Sequence, residues 1–126
     1  MIIALDTNFL VYCAKQKIDF LSEIGRLCSE KTSIIVPELA IQELENLSKM
    51  NSEDGKYALL ALQLAKGYIT KGRIAVEFIR AETADDALLN LDKKNNAIAT
   101  LDLGLRRRIK NARIIVVRQL NHLGFA

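Results

Sequence analysis

Short apolar runs alternate along the chain with longer stretches in which apolar residues recur every three or four positions. The short runs are rich in β-branched residues, which is typical of buried strands in a parallel sheet, whereas the wider spacing indicates amphipathic helices. The pattern predicts strands at residues 2–5, 33–36, 74–78, 97–101 and 114–117. It predicts helices at residues 7–15, 19–30, 37–50, 56–70, 83–94 and 103–110, with a turn at residues 51–55.

This alternation predicts an α/β fold with three layers, in which a central parallel β-sheet is flanked by helices. A chain of 126 residues, 50% of them hydrophobic, is long enough for one compact domain over residues 1–126 and too short for two. One proline and six glycines leave no stretch that resembles a flexible linker. The helix at residues 56–70 is apolar on more than one face, so it is either core or a dimer surface, and we favour core.

The chain has no sequence signal for a membrane or for secretion. No apolar run reaches the roughly 18 residues that a membrane span needs, and the first residues lack the basic segment of a secretory signal. Cys13 and Cys28 fall in predicted helices without the spacing of a metal site. We interpret them as core thiols of a cytoplasmic protein, and a disulfide between them would require their backbones to approach.

Acidic residues stand at positions where α/β folds build ligand sites. Asp6 and Asp102 directly follow predicted strands, Asp85 and Asp86 open a predicted helix, and Glu43 lies inside the third predicted helix. Ligand crevices in such folds lie at the carboxyl ends of the strands. Carboxylates gathered there repel one another unless a cation holds them, and hard divalent cations prefer oxygen ligands. The pattern therefore predicts a divalent-metal site.

Most of these acids also have a purely structural explanation. Asp6 and Asp102 could cap the helices that follow them. Asp86 forms a capping-box pattern with Thr83, so it too has a structural role. Asp85 points closer to the apolar stripe of its helix, and for this reason we favour Asp85 as a ligand and keep Asp86 as the second candidate.

Glu43 is the acid that capping explains least. Plotted at about 100° per residue, Glu43 falls within the apolar arc of its helix, between Leu47 and Met50. A carboxylate turned toward a core is costly unless it is paired or bound to a metal. The alternative is a side chain at the edge of the arc that reaches solvent or a lysine.

Charge is distributed unevenly, although the formal net charge is only +3. Six of the 18 basic residues and none of the 15 acidic ones follow Asp102. A basic segment beside an acidic site favours an anionic partner such as nucleic acid, and the alternative is a solvated basic helix face. The candidate RNA-binding residues, which would hold phosphates, are Arg106, Arg107, Arg108, Lys110 and Arg113.

Aromatic residues are few, at 6% of the chain, and there is no tryptophan. Phe9 and Tyr12 follow Asp6 closely and could stack on nucleobases, although core packing is the simpler interpretation. His122 is the only histidine, and we interpret it as a surface or packing residue.

Four segments, taken in order, resemble the PIN domain, a metal-dependent ribonuclease fold. They are LDTNFL at the end of the first strand, VPELAIQELENL, TADDALLNL, and ATLD followed by LRRRI. The DTN and T-x-D elements are short, but their order and spacing with the mid-helix glutamate are specific, and the resemblance covers essentially the whole chain. IDFLSEIGRL and ETADDAL with LRRRIKNARI further resemble small archaeal members similar to eukaryotic small-subunit rRNA-processing endonucleases, more than VapC-type toxins.

The resemblance implies an acidic quartet that binds Mg²⁺ or Mn²⁺ and catalyses RNA hydrolysis. By position its members are Asp6, Glu43, Asp85 and Asp102, with Asp86 as a fifth candidate. Small polar residues of the family beside the acids correspond to Thr7, Asn8 and Thr100. The resemblance also implies single-stranded RNA or an rRNA precursor as the substrate, and homodimers.

The leading hypothesis is therefore a metal-dependent endoribonuclease, with rRNA processing as its candidate role and a ribosome-assembly factor as a candidate partner. One alternative is a VapC-type toxin ribonuclease with an antitoxin partner, and another is a PIN module that binds RNA without cleaving it. A receiver-like signalling domain also gathers acids at strand ends. It ranks last because this chain lacks paired acids directly after the first strand and a matching late lysine.

Overall fold

The computed structural model describes residues 1–28, 31–119 and 121–126. The strands are β1 (Ile2–Leu5), β2 (Ser33–Pro37), β3 (Ala75–Glu77), β4 (Ala97–Ala99), β5 (Arg113–Arg118) and β6 (His122–Phe125). The helices are α1 (Thr7–Lys15), α2 (Phe20–Leu27), α3 (Glu38–Ser48), α4 (Glu53–Thr70), α5 (Ala84–Leu89) and α6 (Leu103–Arg108). Within these described ranges, every helix is too short or too polar to cross a bilayer.

The six strands form one sheet in the order β3-β2-β1-β4-β5-β6. The first five are parallel, and β6 runs antiparallel to β5. The chain moves outward from β1 to β3 and then returns to the other side of β1 to form β4. This reversal creates a switch point between β1 and β4, where α/β sheets place their ligand crevices. Leu5 lies opposite Ala99 in the register, so Asp6 and Thr100 emerge side by side.

The sheet carries an apolar core on each face, which confirms the three-layer prediction. Ile3 and Leu5 of β1 pack into a core with residues of α1 to α4. Ala4, which points to the opposite face, packs with Leu88 of α5 and Leu105 of α6. The alternation of side chains along β1 therefore serves both helical layers.

Helix α1 supplies much of the first core. Phe9 is fully buried and packs edge to face against Phe20, with ring centroids 6.1 Å apart, so the core interpretation of Phe9 is correct. Cys13 is a buried free thiol, and burial raises its pKa to about 12. The Cys13–Cys28 disulfide considered from the sequence is therefore not formed.

Helix α4 is core on one face only. Ala58, Ala61 and Leu62 are buried among the core residues. On the outer surface of the same helix, Leu59 and Leu64 are 44% and 41% exposed. The sequence left open whether this helix belongs to the core or to a surface. In the structure, one of its faces is core and another is exposed.

Helix α4 begins at Glu53, inside the segment that was predicted to be a turn. Ser52 caps the helix by accepting a hydrogen bond from the Gly55 N–H at 3.1 Å. A Cβ at Gly55 would collide with the carbonyl oxygen of Met50, so only glycine permits this close passage of the chain. The NSEDG segment therefore combines a cap with a first helical turn.

Several predicted elements end earlier than expected, and α5 is the clearest case. Helix 83–94 was predicted, but α5 stops at Leu89 because Asp92 ties the chain to the segment after α6. The Asp92 carboxylate accepts backbone N–H bonds from Lys110, Asn111 and Ala112 at 2.7–2.8 Å. Burial acts to raise the Asp92 pKa, but these bonds outweigh it and the pKa lies below its usual range.

Other predicted ends also shift: the predicted helix 37–50 ends at Ser48, and the predicted strand 74–78 ends at Glu77. The predicted strand 97–101 stops at Ala99, and the predicted helix 103–110 stops at Arg108. The predicted helix 19–30 ends at Leu27, and its last two predicted residues lie outside the described ranges. The apolar pattern extends into residues at the ends of these elements, but in the structure those residues cap the element or belong to the turn that follows it.

Strand β6 was not predicted from the sequence, because it is short and contains Gly124. Glu23 of α2 holds it in place: its Oε1 accepts the Leu123 N–H at 3.0 Å and lies 3.3 Å from His122 Nδ1. Arg26 completes the link, because its Nη2 contacts the same Oε1 at 3.1 Å and donates to the Leu123 carbonyl at 2.8 Å. His122 is thus a packing contact, as expected.

We predict that Glu23→Gln lowers the free energy of unfolding at pH 7 by about 1–3 kcal/mol, since it weakens hydrogen bonds to a charged acceptor. The Arg26 hydrogen bond, the Leu123 N–H and His122 lower the Glu23 pKa to about 2. A lowered pKa stabilises the fold above the ordinary value of 4.5, and this contribution is lost as the pH falls toward 2. The difference between variant and parent in urea unfolding should therefore shrink between pH 5 and pH 3. Glu45→Gln, on the exposed face of α3, is the control, and a pH-independent difference for Glu23→Gln would contradict this account.

Candidate active site

Asp6 is anchored where β1 ends and α1 begins. Its backbone N–H bonds the Ala99 carbonyl of β4 at 3.0 Å. Its side chain is buried, with Oδ1 accepting the Thr7 N–H at 2.7 Å and Oδ2 accepting the Thr100 hydroxyl at 2.6 Å. Burial raises the Asp6 pKa against the lowering effect of these two bonds, and the nearby Asp85 and Asp102 raise it further.

Thr100 joins two of the predicted acids. It is fully buried, and while its hydroxyl donates to Asp6 it accepts the Asp102 N–H at 3.1 Å. Asp102 caps α6, because its Oδ1 accepts the N–H groups of Gly104 at 2.8 Å and Leu105 at 3.2 Å. The capping interpretation of Asp102 is therefore correct, and both capping bonds use the same carboxylate oxygen.

The neighbouring acids of α5 have different surroundings. The N-cap residue Thr83 accepts the Asp86 N–H at 3.1 Å, which is the threonine half of the capping box inferred from the sequence. The Asp86 carboxylate pairs with Arg108 of α6 at 3.4 Å. Asp85 is half-buried, and its pKa is raised by burial and by Asp102, with a smaller opposing effect of Arg108. Asp85 thus belongs electrostatically with the acids, and Asp86 with the arginine.

Glu43 does not face the core, in contrast to the expectation from its helical arc. The residue as a whole is exposed, while Ala40 and Leu44 of α3 are buried. The Glu43 carboxylate is nevertheless partly desolvated, and this raises its pKa, as do the charges of Asp6 and Asp85. The helix therefore carries Glu43 at the rim of the sheet, where the other acids lie.

Four carboxylates thus share one electrostatic environment, and we call them the acidic cluster: Asp6, Glu43, Asp85 and Asp102. Among the residues that the structure describes, no three carboxylate, thiol or imidazole side chains are close enough together to form a ready metal-ligand set. The donor chemistry still suits a hard cation, because mutual repulsion raises carboxyl pKa values that a bound cation would lower. The hydroxyl of Thr7 is also buried here and makes no hydrogen bond within the described ranges.

The basic residues expected beside the site are dispersed. Arg106, Arg107 and Arg108 lie on α6, and Arg108 is engaged with Asp86. Arg113 stacks over the Phe125 ring, 3.4 Å from its centroid, and pairs with Ala97 at the amino end of the sheet, away from the acids. Lys110 directs its Nζ to the Arg107 carbonyl at 3.2 Å. Of these basic residues, Arg108 is the one that the described contacts bring to the acids of α5.

The structure also brings Lys15 and Asp54, to which the sequence assigned no role, into a cavity with Asn8 and Tyr12. The cavity has a volume of about 340 Å³, and apolar side chains complete its lining. Asp54 lies on α4, far along the chain from α1. No local sequence signal could have placed Asp54 beside these residues of α1.

Comparisons with known proteins agree with the α/β fold described above. The PIN-like domain family matches residues 3–120. Ribonuclease VapC4 of Methanocaldococcus jannaschii is 38% identical over 118 residues, which cover 90% of this chain and 88% of that protein. Among solved structures, the PIN domain endonuclease Utp24 matches with a TM-score of 0.78 at 24% identity, over 98% of this chain and 90% of that one.

A further structure, VapBC2 from Rickettsia felis bound to a promoter DNA fragment, matches with a TM-score of 0.59 at 16% identity, over 94% of this chain and 100% of that one. At these identities the solved structures show a common fold, as expected from the predicted α/β architecture. The family match over nearly the whole chain, together with a ribonuclease at 38% identity, shows that the chain belongs to the PIN-like domain family.

Proposed function

We propose that this protein is a metal-dependent endoribonuclease that hydrolyses phosphodiester bonds in RNA. The observation that carries the proposal is the acidic cluster at the switch point, in which Thr100 links Asp6 to the backbone of Asp102. Likeness to Ribonuclease VapC4 supports the ribonuclease activity. We treat residues 1–126 as one catalytic domain.

The residues that would hold Mg²⁺ or Mn²⁺ are Asp6, Glu43, Asp85 and Asp102, with Asp86 as the second candidate on α5. A divalent ion at such a site activates water and stabilises negative charge on a phosphate. Asp85 is favoured over Asp86 because Asp86 already pairs with Arg108. One Asp102 oxygen caps α6, which leaves its other oxygen available for this role.

The surrounding residues would prepare the acids and receive the substrate. Thr100 and the Thr7 N–H hold the two oxygens of Asp6 in one orientation, which is the usual role of groups behind a ligand. Arg106 and Arg107 would contact phosphates of the RNA backbone, which gives affinity without sequence preference. Arg108 would reduce the repulsion between the carboxylates of Asp85 and Asp86 at the start of α5.

Two biological roles are compatible with this chemistry. The 38% identity to Ribonuclease VapC4 favours a toxin ribonuclease with a protein antitoxin as its partner. The likeness to the endonuclease Utp24, which rests on fold, is the ground for retaining rRNA processing as the other role. In either role we propose that the protein acts in the cytoplasm on single-stranded or precursor RNA. We further propose that it forms homodimers, which would cover the exposed leucines of α4.

We predict that cleavage of a labelled single-stranded RNA requires Mg²⁺ or Mn²⁺ and stops in chelator. Asp6→Asn and Glu43→Gln should each reduce cleavage at least about 100-fold, since both remove a negative oxygen ligand. Glu45→Gln, two residues from Glu43 on the outer face of α3, is the matched control and should keep full activity. Chelator-resistant cleavage, or equal losses in Glu43→Gln and Glu45→Gln, would contradict the metal mechanism.

We predict that the loss in Asp6→Asn is not caused by unfolding. The Asp6 pKa is raised in the folded protein, so keeping this carboxylate ionised at pH 7 destabilises the fold, and a neutral residue of the same shape removes that cost. Asparagine keeps one acceptor oxygen and loses one of the two hydrogen bonds that Asp6 accepts, which offsets this gain, so in chelator Asp6→Asn should melt within a few degrees of the parent. A large drop in melting temperature would show that the carboxylate is structural.

We predict that Thr100→Val lowers the cleavage rate about 10- to 100-fold, because Asp6 loses the hydroxyl that orients it. Thr100→Ser keeps the hydroxyl and should restore most of the activity. The two variants are compared by single-turnover cleavage in saturating Mn²⁺. Equal rates for the valine and serine variants would remove Thr100 from this role.

The toxin role has its own test, which is growth after induction of the chain alone. A toxin arrests growth, and the arrest disappears both in Asp6→Asn and on co-expression of a small DNA-binding protein encoded beside it. Normal growth with active ribonuclease would favour the rRNA-processing role.

A further inference from the structure

A cavity of about 340 Å³ opens beside the acidic cluster. In its lining, Asn8 lies two residues after Asp6, Leu101 directly precedes Asp102, and Leu47 lies one helical turn beyond the glutamate of the cluster. The cavity is therefore built on the same strand ends and the same helix as the acids. A substrate held at the acids would have an adjacent group within reach of it.

The lining of this cavity has an apolar part and a polar part. Tyr12, Val11 and Leu47 are half-buried and form an apolar surface that includes one aromatic ring. Asn8 and Asp54 are exposed and present polar side chains. Such a combination suits a flat, mostly apolar ligand with polar groups at its edge, and the volume is at the lower end of small-ligand pockets.

We propose that this cavity receives one nucleobase of the RNA, next to the phosphate that is cleaved, and that guanine fits it best. This inference rests on the proposed ribonuclease function. The Tyr12 ring offers a stacking surface, which is the usual way in which proteins hold an unstacked base. Of the two aromatic residues near Asp6, only Tyr12 can serve, since Phe9 is fully buried.

The polar groups determine which base is favoured. An ionised Asp54 only accepts hydrogen bonds, while the Asn8 amide both donates and accepts. Guanine carries two adjacent N–H donors beside a carbonyl oxygen, so it can pair its donors with Asp54 and its carbonyl with Asn8. Uracil offers a single N–H on this edge and adenine a single amino group, so each satisfies Asp54 less completely.

Lys15 completes the lining and serves the backbone rather than the base. Its Nζ lies 3.4 Å from a Glu53 carboxylate oxygen and 5.9 Å from the Tyr57 ring centroid. These contacts orient the ammonium group beside the cavity. The Lys15 side chain is 43% exposed, so we place it beside a phosphate that follows the bound base, which it would hold in exchange for Glu53.

The test uses four short RNA oligonucleotides that differ at one position, which is guanine, adenine, cytosine or uracil. The parent should cleave next to guanine fastest. Asp54→Asn should reduce the preference for guanine on the order of tenfold, as expected when a paired set of base contacts is broken. Tyr12→Ala should lower kcat/KM for all four on the order of tenfold, while Tyr12→Phe retains it. Glu45→Gln makes the same charge change as Asp54→Asn and should alter neither.

A second measurement, without metal or cleavage, separates this inference from the ribonuclease proposal. Guanosine 5′-monophosphate is titrated in chelator and followed by the NMR signals of Tyr12 and Asn8, with uridine 5′-monophosphate as the comparison. Tighter binding of the guanosine nucleotide that Asp54→Asn weakens would support the pocket even if the parent cleaved no RNA. Metal-dependent cleavage in which Asp54→Asn leaves the base preference unchanged and Tyr12→Ala leaves kcat/KM unchanged would overturn the pocket and leave the ribonuclease proposal intact. Melting curves confirm that each variant is folded.

Discussion

The carboxyl edge of the sheet depends on the hydrogen bond that Thr100 donates to Asp6. The two residues are far apart in sequence and meet only because β1 and β4 are neighbours at the switch point of the sheet. Burying a carboxylate is costly, and hydrogen bonds to charged groups, at about 1.5–3 kcal/mol each, offset much of that cost. The Asp102 N–H fixes the Thr100 oxygen in turn, so one short chain of bonds sets the positions of both acids.

Among the described residues, five acids have pKa values that differ clearly from the ordinary ones, and these five fall into two groups. Glu23 and Asp92 have partners within the fold, namely Arg26 and three backbone N–H groups, and their pKa values are lowered. The pKa values of Asp6, Glu43 and Asp85 are raised, because burial and neighbouring carboxylates act on them together. Acids that hold a fold together gain favourable partners. Carboxylates whose pKa values are raised by burial and by neighbouring carboxylates are typical of a site that acts on a ligand.

Much of this arrangement follows from the sequence. The apolar pattern predicted every strand of the parallel sheet, and the position of each acid relative to a strand end was sufficient to bring Asp6 and Asp102 to one edge. Contacts between residues distant in sequence explain where the predictions were wrong. The segment at residues 83–94 keeps its helical pattern, but Asp92 turns it by binding backbone groups distant in sequence. Glu43 fell in an apolar arc, yet it is exposed because α3 extends to the rim of the sheet, and only tertiary structure reveals that rim. The ion pair between Arg108 and Asp86 also could not be predicted from the sequence, because it depends on how α5 and α6 pack.

The central claim is that the acidic cluster is a divalent-cation site, and a crystal structure of the protein soaked in Mn²⁺ tests it most directly. The account predicts an anomalous peak at the carboxyl ends of β1 and β4. The ion should be in contact with Asp6 and with at least one of Glu43, Asp85 and Asp102. An ordered crystal in millimolar Mn²⁺ that shows no peak at this edge, or a peak only elsewhere on the surface, would contradict it.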